Sequence, residues 1–229
     1  MPKEFTKNPV TWIEDRDHAV RLLTAYLAPS MFTGALWDPS AERRNSGSDC
    51  FVINAEDLYL PTLLSAPVRR SAGQAIIERS GTISAQLHEI APKITLWDPK
   101  VEKVDKALAA AEQLFSELKK IPYVGPTTAS KLAAAKRPRL LPIWDSQVSR
   151  ALGATRMSWR QYWRAWRETI TPAVDELYLI ASEVGHPDLS PLRTLDIIIW
   201  MDEWGWKDLP TNEWNDLKKA CAARQSKRE

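Results

Sequence analysis

The residues best suited to chemistry lie between positions 121 and 150, in the segment IPYVGPTTASKLAAAKRPRLLPIWDSQVSR. A turn containing Gly125 enters a small-residue helix, and Asp145 opens another helix further along. The free N–H groups at the start of the first helix can hold a phosphate oxygen, and glycine lets the backbone approach it closely. The Asp145 carboxylate can stabilise positive charge or activate a water molecule. The segment therefore predicts a nucleic-acid anchor beside a reactive acid.

This segment resembles the helix-hairpin-helix DNA glycosylase superfamily. The signature of that superfamily runs Leu-Pro-Gly-Val-Gly-x-x-Thr-Ala and then, about twenty residues later, Val-Asp-Thr-His-Val-x-Arg. The matching stretches here are IPYVGPTTA at 121–129 and IWDSQVSR at 143–150. The resemblance implies a bilobal helical fold that binds duplex DNA and flips a base into a cleft beside Asp145, the catalytic position. Extrusion is the general route by which enzymes reach a base buried in the stack.

The resemblance also assigns DNA contacts to the hairpin and to the arginine that ends the second motif. The residues that it assigns are Tyr123, Val124, Gly125, Thr127, Thr128, Lys131 and Arg150. An aspartate at this point is also a common structural helix cap, and the two roles are compatible.

Three departures from the superfamily pattern bear on the chemistry. Thr127 stands where lyase-active members carry a lysine, which implies hydrolysis to an abasic site without strand cleavage. The four-cysteine iron–sulfur loop is absent, because the chain has two cysteines, and neither a metal nor a cofactor is expected. Tyr123 replaces a glycine, while Trp144 and Gln147 replace valine and histidine, as in a divergent branch.

The net charge of +2 conceals an uneven distribution. Residues 117–167 contain eleven Lys and Arg against Glu117 and Asp145, which leaves 20 basic and 27 acidic residues elsewhere. A basic segment in an otherwise acidic chain is typical of a polyanion-binding surface. The alternative is a solvated surface whose counter-charges lie nearby in space.

Hydrophobic periodicity predicts an all-α fold. Apolar residues recur at three and four from Val101 to Leu118, as in one long amphipathic helix, and further helices follow near 126–137, 146–152 and 158–170. We expect two helical lobes in one compact unit, residues 1–110 and residues 111–229. Residues 38–49 have the composition of a loop, and only residues 50–53 resemble a strand.

Aromatic residues suggest the walls of a base pocket. The chain has 11 tryptophans, and stacking on an extruded base is their characteristic nucleic-acid role. Trp144, Trp37 and Tyr26 are the candidates, although core packing is the commoner role for any one of them, Trp200 and Trp204 in particular. Asp196 lies in a very apolar stretch, where it either pairs with a core arginine or serves as a second acid.

Bulk properties place the chain among cytoplasmic globular proteins, and we expect a monomer. Three functions fit: a monofunctional DNA glycosylase acting on an alkylated or otherwise modified base in duplex DNA, a non-catalytic DNA-binding protein that uses the same hairpin, and a helical protein-interaction domain.

Overall fold

The protein is all-α over the residues that the computed structural model describes, 4–44 and 47–227. Those residues form twelve α-helices and short 3₁₀ segments, with no strand among them. The helices are α1 Arg16–Leu27, α2 Trp37–Arg44, α3 Ala55–Leu63, α4 Arg70–Glu78, α5 Ser80–His88, α6 Val101–Lys119, α7 Pro126–Lys136, α8 Ser146–Ala151, α9 Trp159–Ile170, α10 Val174–Glu183, α11 Pro191–Glu203 and α12 Thr211–Ser226. None of them has both the length and the apolar character that a membrane span requires.

Local sequence accounts for the boundaries of the helices that form the site. α6 buries one apolar stripe, and α7 begins with Gly125 at its N-cap and Pro126 in its first turn. α8 is capped by Asp145 and α11 by Ser190, each through its side-chain oxygen. The expected positions of α6, α7 and α8 are confirmed.

Two expectations for the first half of the chain are wrong. The predicted loop at 38–49 begins as helix α2, Trp37–Arg44, and residues 45 and 46 of that stretch lie outside the described residues. The predicted strand at 50–53 is instead the end of a 3₁₀ helix, Gly47–Phe51, followed by extended chain. Tertiary contacts override the local composition here, since Asp38 on α2 pairs with Arg193 on α11.

The buried apolar side chains form one core cluster that draws on both halves of the chain. α1 packs against α10, α11 and α12, while α3 and α6 pack against α7. Residues near the start of the chain therefore support the helix that carries Arg193, and α7 lies between elements that precede and follow it in sequence. Residues 1–110 and residues 111–229, the two expected lobes, therefore pack against each other. The division between them at residue 110 stays a prediction.

Much of the basic segment does not form a free cationic surface. Lys131, Lys136 and Arg137 are buried. Other cations are paired with carboxylates, Arg160 with Glu112 and Arg164 with Asp105. The counter-charges thus lie nearby in space, as the alternative interpretation held, and the charge count alone overstates the polyanion surface.

The Lys136–Asp57 ion pair joins α7 to α3 inside the core. The Nζ atom of Lys136 lies 2.7 Å from Oδ2 of Asp57, and both side chains are almost wholly inaccessible. Nζ also donates to the carbonyl oxygen of Asp49 at 2.9 Å. Removing one member of a buried pair leaves the other charged and unpaired, which is strongly destabilising.

We expect Lys136→Met to lower the free energy of unfolding by about 3–5 kcal/mol, measured by urea denaturation. The matched control is Lys103→Met, which removes the exposed pair with Asp98 and is expected to change stability by less than about 1 kcal/mol. Equal effects of the two variants would contradict the structural role assigned to Lys136.

Candidate active-site cavity

A cavity of about 420 Å³ brings together residues 26–65 and residues 127–208. This volume lies within the range of small-molecule sites, roughly 300–1,000 Å³. Its polar lining includes Asp145, Lys131, Thr127, Arg193 and Asp196. Of the sequence-predicted residues, the structure therefore places the catalytic candidate and two hairpin residues in one cavity.

Asp145 divides its carboxylate between two tasks. Oδ1 accepts hydrogen bonds from the backbone N–H groups of Gln147 at 2.8 Å and Val148 at 3.4 Å, which caps α8. Oδ2 lies 3.9 Å from Nζ of Lys131, and 23% of the Asp145 side chain is exposed. The cap fixes the orientation of the carboxyl group, while its second oxygen faces the Lys131 ammonium group in the cavity lining.

Lys131 lies in the cavity, where it is 4% exposed, and not on a DNA-facing surface. Its ammonium group donates to the carbonyl oxygen of Leu64 and faces Asp145. Burial lowers the pKa of Lys131, an effect that the carboxylates of Asp145 and Asp196 oppose. The prediction that Lys131 contacts a DNA phosphate is therefore corrected, because its charge is turned inward.

Arg193, on α11, is part of the cavity lining and forms hydrogen bonds with three other side chains. Its Nε and Nη2 atoms donate to the two oxygens of Asp38 at 2.7 and 3.2 Å, and Nη2 also donates to the Tyr26 hydroxyl at 3.2 Å. Nη1 donates to Oδ2 of Asp196. The expectation that Asp196 pairs with a core arginine is confirmed.

Burial raises the pKa values of two groups bound to Arg193. It raises the pKa of Tyr26 to about 12, which leaves the phenol neutral. It also raises the pKa of Asp196 to about 7; Arg193 and Lys131 act against this shift, and Asp145 and Asp38 act with it. Asp196 is thus a carboxyl group that changes charge near neutral pH.

Aromatic rings complete the cavity wall. Tyr26 and Phe32 are stacked with their centroids 5.4 Å apart, and Trp200 meets Phe32 edge-on at 5.5 Å. Gly34 belongs to the same wall, and a Cβ atom there would lie 1.9 Å from the Tyr26 hydroxyl oxygen. Planar ligands are well suited to such a wall, since aromatic rings stack on them.

Among the base-pocket candidates, Tyr26 lines the cavity, whereas Trp37 and Trp144 are not among its lining residues. Trp37 is completely buried, and Arg193 lies 5.3 Å above its ring. Trp144 packs against Trp159 and Tyr162, with centroids 4.6 Å from each. The assignment to a base pocket is wrong for Trp37, which is completely buried; for Trp144, which is half-buried beside Asp145, it stays a prediction.

Sequence reasoning missed Phe32 and assigned two cavity tryptophans to the core. On α11 and just beyond it, the cavity is lined by Arg193, Asp196, Trp200 and Trp204, which are three or four residues apart. This spacing puts them on one face of a helix. Two charged residues followed by two tryptophans on such a face were the signal that could have identified the wall.

In the hairpin turn, the unusual backbone conformation is that of Tyr123 and not that of Gly125. Tyr123 has φ of 67°, whereas Gly125 has φ of −80° and ψ of 175°, which any residue adopts. The Tyr123 ring is exposed, and the Arg69 guanidinium lies 4.9 Å from its centroid. Non-glycine residues with positive φ are uncommon and concentrate at functional sites.

The start of α7 is open to an anion. No side chain caps this end of the helix, and a Cβ atom built on Gly125 would have no neighbour within 4 Å. Thr127 and Thr128 are half-buried beside it. The side chain of Val124 is buried and its N–H group donates to the Ile121 carbonyl, so neither is open to the DNA contact that was predicted for this residue. Arg150 is exposed on α8, and its contact with DNA stays a prediction.

A candidate metal group within the described residues lies outside the cavity lining. His18, Asp202 and Cys221 have potential ligand atoms within 4.8 Å of one another. Nε2 of His18 and Oδ1 of Asp202 are 2.7 Å apart, which is a direct hydrogen bond between α1 and α11. Burial raises the pKa of the Cys221 thiol to about 12. His18 and Asp202 of this group link α1 to α11 by their hydrogen bond.

Residues 19–203 match the model of a family described as "Family of unknown function (DUF6308)". No curated protein matches the chain. No solved structure matches it either.

The raised pKa of Asp196 generates a prediction about stability. Because the folded-state pKa exceeds the unfolded value, Asp196 contributes stability at low pH that is lost as the pH rises through about 7. Asp196→Asn removes this titration. The free energy of unfolding of the variant, relative to the wild type, is therefore expected to increase between about pH 5.5 and pH 8, as measured by urea denaturation.

Asp98→Asn is the control for this pH series. The pKa of Asp98 is lowered, chiefly by the hydrogen bond from the Lys100 N–H group, so it titrates below the measured range. The stability of the control relative to the wild type should be the same at both ends of the range. A flat response of Asp196→Asn would show that Asp196 is already ionised in the folded protein throughout this range.

Proposed function

We propose that this chain, which belongs to a family of unknown function, DUF6308, is a monofunctional DNA glycosylase. It hydrolyses the N-glycosidic bond of an alkylated or otherwise modified base extruded from duplex DNA. The observation that carries the proposal is the second oxygen of Asp145, oriented at a cavity with aromatic walls next to the open end of α7.

The start of α7 supplies the anchor for the DNA strand. The N–H groups of Gly125, Thr127 and Thr128 precede the first intrahelical bonds that α7 can form. Together with the helix dipole they attract a phosphate oxygen, and the space above Gly125 admits it. The exposed Tyr123–Arg69 pair, at the tip of the hairpin, adds a positive charge and a ring beside the same strand.

The cavity receives the extruded base. Thr127 belongs both to the first turn of α7 and to the cavity lining, so a strand bound at the helix end passes the cavity mouth. Tyr26, Phe32 and Trp200 offer ring faces and edges to a planar base. Trp204, which is 42% exposed and lies under the Lys207 ammonium at 4.6 Å, borders the cavity on the solvent side.

Asp145 performs the chemistry. As the bond between C1′ and the base nitrogen breaks, its electrons leave with the base and positive charge develops on the sugar. The carboxylate stabilises that charge, and it takes a proton from the water whose oxygen bonds to C1′. Lys131, 3.9 Å away, holds the second oxygen in place by its charge.

Hydrolysis without strand cleavage follows from the groups beside the sugar. Thr127 is not an amine nucleophile. The Lys131 ammonium is engaged with the Leu64 carbonyl and with Asp145, which restrains it from attacking C1′. The product we expect is an intact strand with an abasic site.

Asp145→Asn is expected to reduce base release by about 10²–10⁴-fold and to leave duplex binding unchanged, because asparagine preserves the helix cap but removes the charge. Release is measured on duplexes carrying a panel of modified bases, by alkaline cleavage of the abasic product. Asp15→Asn, which changes the equivalent cap of α1, is the control and should keep full activity.

Two outcomes of that assay count against the proposal. Undiminished base release by Asp145→Asn would remove Asp145 from the mechanism, and DNA binding without release of any base would favour a non-catalytic hairpin protein. Strand cleavage before alkali, with a borohydride-trapped adduct that Lys131→Arg abolishes, would replace hydrolysis by an amine mechanism.

Gly125→Val separates DNA binding from folding. The backbone at Gly125 suits any residue and the added side chain meets no protein atom, so stability is expected to fall by no more than about 1 kcal/mol. The valine side chain covers the N–H groups of α7, and duplex affinity is expected to fall at least about tenfold, measured by fluorescence anisotropy.

Gly81→Ala serves as the control, because its Cβ position is also open but lies on α5, outside the cavity lining. Its DNA affinity should equal that of the wild type. A wild-type affinity that does not weaken with added salt would contradict phosphate binding altogether.

A further inference from the structure

We propose that Asp196 is the specificity-determining acid of the cavity, and that it selects bases that present an amino or ring N–H donor to α11. This inference rests on the proposed function, because it takes the cavity to be the site that receives the base. It goes further by naming the chemical feature that the base must carry.

The two oxygens of the Asp196 carboxylate are in different situations. Oδ2 accepts a hydrogen bond from Nη1 of Arg193. Oδ1 is buried without a hydrogen-bond partner in the described part of the chain, although Asp196 is only 6% exposed and lines the cavity. A buried acceptor without a donor is costly and rare in folded proteins. A donor supplied by a ligand in the cavity would satisfy it.

Charge balance at Arg193 explains why the ligand should bring a donor and not an acceptor. Asp38 already binds the guanidinium through both of its oxygens, at 2.7 and 3.2 Å. Asp196 is a second carboxylate on the same cation, so the three side chains carry one excess negative charge when all are ionised. An N–H group gains a charge-assisted hydrogen bond there, whereas a carbonyl or ether oxygen is repelled.

The other charged groups near Asp196 do not remove this preference. Asp145 and Lys131 face it with opposite charges, and Tyr26 is a neutral phenol that accepts a bond from Arg193. Burial raises the pKa of Asp196 to about 7; above that pH both oxygens only accept hydrogen bonds, whereas the protonated carboxyl group also carries a donor. The preference for donors should accordingly be strongest in mildly alkaline solution.

The position of Asp196 on α11 lets it act on the edge of a base. Trp200 follows it by one helical turn and lines the same cavity. A planar base in contact with the indole ring therefore lies against the wall that contains the Asp196 carboxylate. Asp38, although bound to the same arginine, lines a separate cavity of about 510 Å³.

The test measures equilibrium binding of small purines by calorimetry at about pH 8, a unit above the Asp196 pKa, where its carboxylate is ionised. The probes are 9-methyladenine, which presents an amino donor, and 6-methoxy-9-methylpurine, which presents an acceptor at the same position. The wild-type chain is expected to bind the donor probe at least about tenfold more tightly. Asp196→Asn should lose this preference, since an amide side chain both donates and accepts.

Asp98→Asn is the control, because it removes a carboxylate that neither binds Arg193 nor lines this cavity. It should keep the donor preference. Equal binding of the two probes by the wild type, or equal loss of preference in the two variants, would overturn the assignment of Asp196. Equal binding of the two probes by the wild type overturns the assignment even if Asp196→Asn does not fold.

Failure of this inference can be distinguished from failure of the proposed function, because probe binding needs no base excision. A chain that releases no base from any duplex but prefers the donor probe keeps the Asp196 assignment and loses the glycosylase proposal. A chain that excises bases but binds both probes equally keeps the glycosylase proposal and loses the Asp196 assignment.

Discussion

Buried cations must be matched by acceptors, and in this protein that requirement fixes where the helices around the cavity lie. Arg193 on α11 holds Asp38 of α2 through both of its oxygens, and so joins segments from opposite halves of the chain. Lys136 on α7 holds Asp57 of α3. Arg137, wholly buried, donates to backbone carbonyls of the first half, including that of Leu87. α7 and α11 therefore hold α2, α3 and the end of α5 in place.

The same requirement explains how the charged groups of the cavity, Lys131 and Asp145, come to lie side by side. Lys131 is one turn along α7 from Thr127, and its ammonium group meets both the Leu64 carbonyl and the Asp145 carboxylate. An aspartate that caps α8 is thereby placed against a charge buried on a different helix. The N–H groups of α8 orient the Asp145 carboxyl group and occupy only one of its oxygens, which makes the proposed catalytic role compatible with the helix cap.

The sequence was a good guide to the helices and a partial guide to the site. Apolar periodicity located α6 and α9, and the cap residue Asp145 located α8, because these signals depend on neighbours within a few residues. Asp145 was found in the same way, from a local motif. Tyr26, inferred as a pocket residue, does line the cavity.

The rest of the site could not be predicted, because it depends on long-range pairing. Nothing near Trp37 in sequence indicates that Arg193 covers it, and nothing near Lys131 indicates that the Leu64 carbonyl turns it inward. The charge excess of residues 117–167 misled for the same reason, since the acids that balance Arg160 and Arg164 are on α6. Composition counts charges, whereas three-dimensional structure decides which of them reach solvent.

The cavity walls come from segments as far apart in sequence as Tyr26 and Asp208. Unfolding must disperse them, so a compound that occupies the cavity binds the native state alone. Mass action then raises the melting temperature in proportion to the logarithm of ligand concentration over its dissociation constant. Thermal-shift screening of nucleosides and bases can therefore identify occupants of this site before any reaction is known.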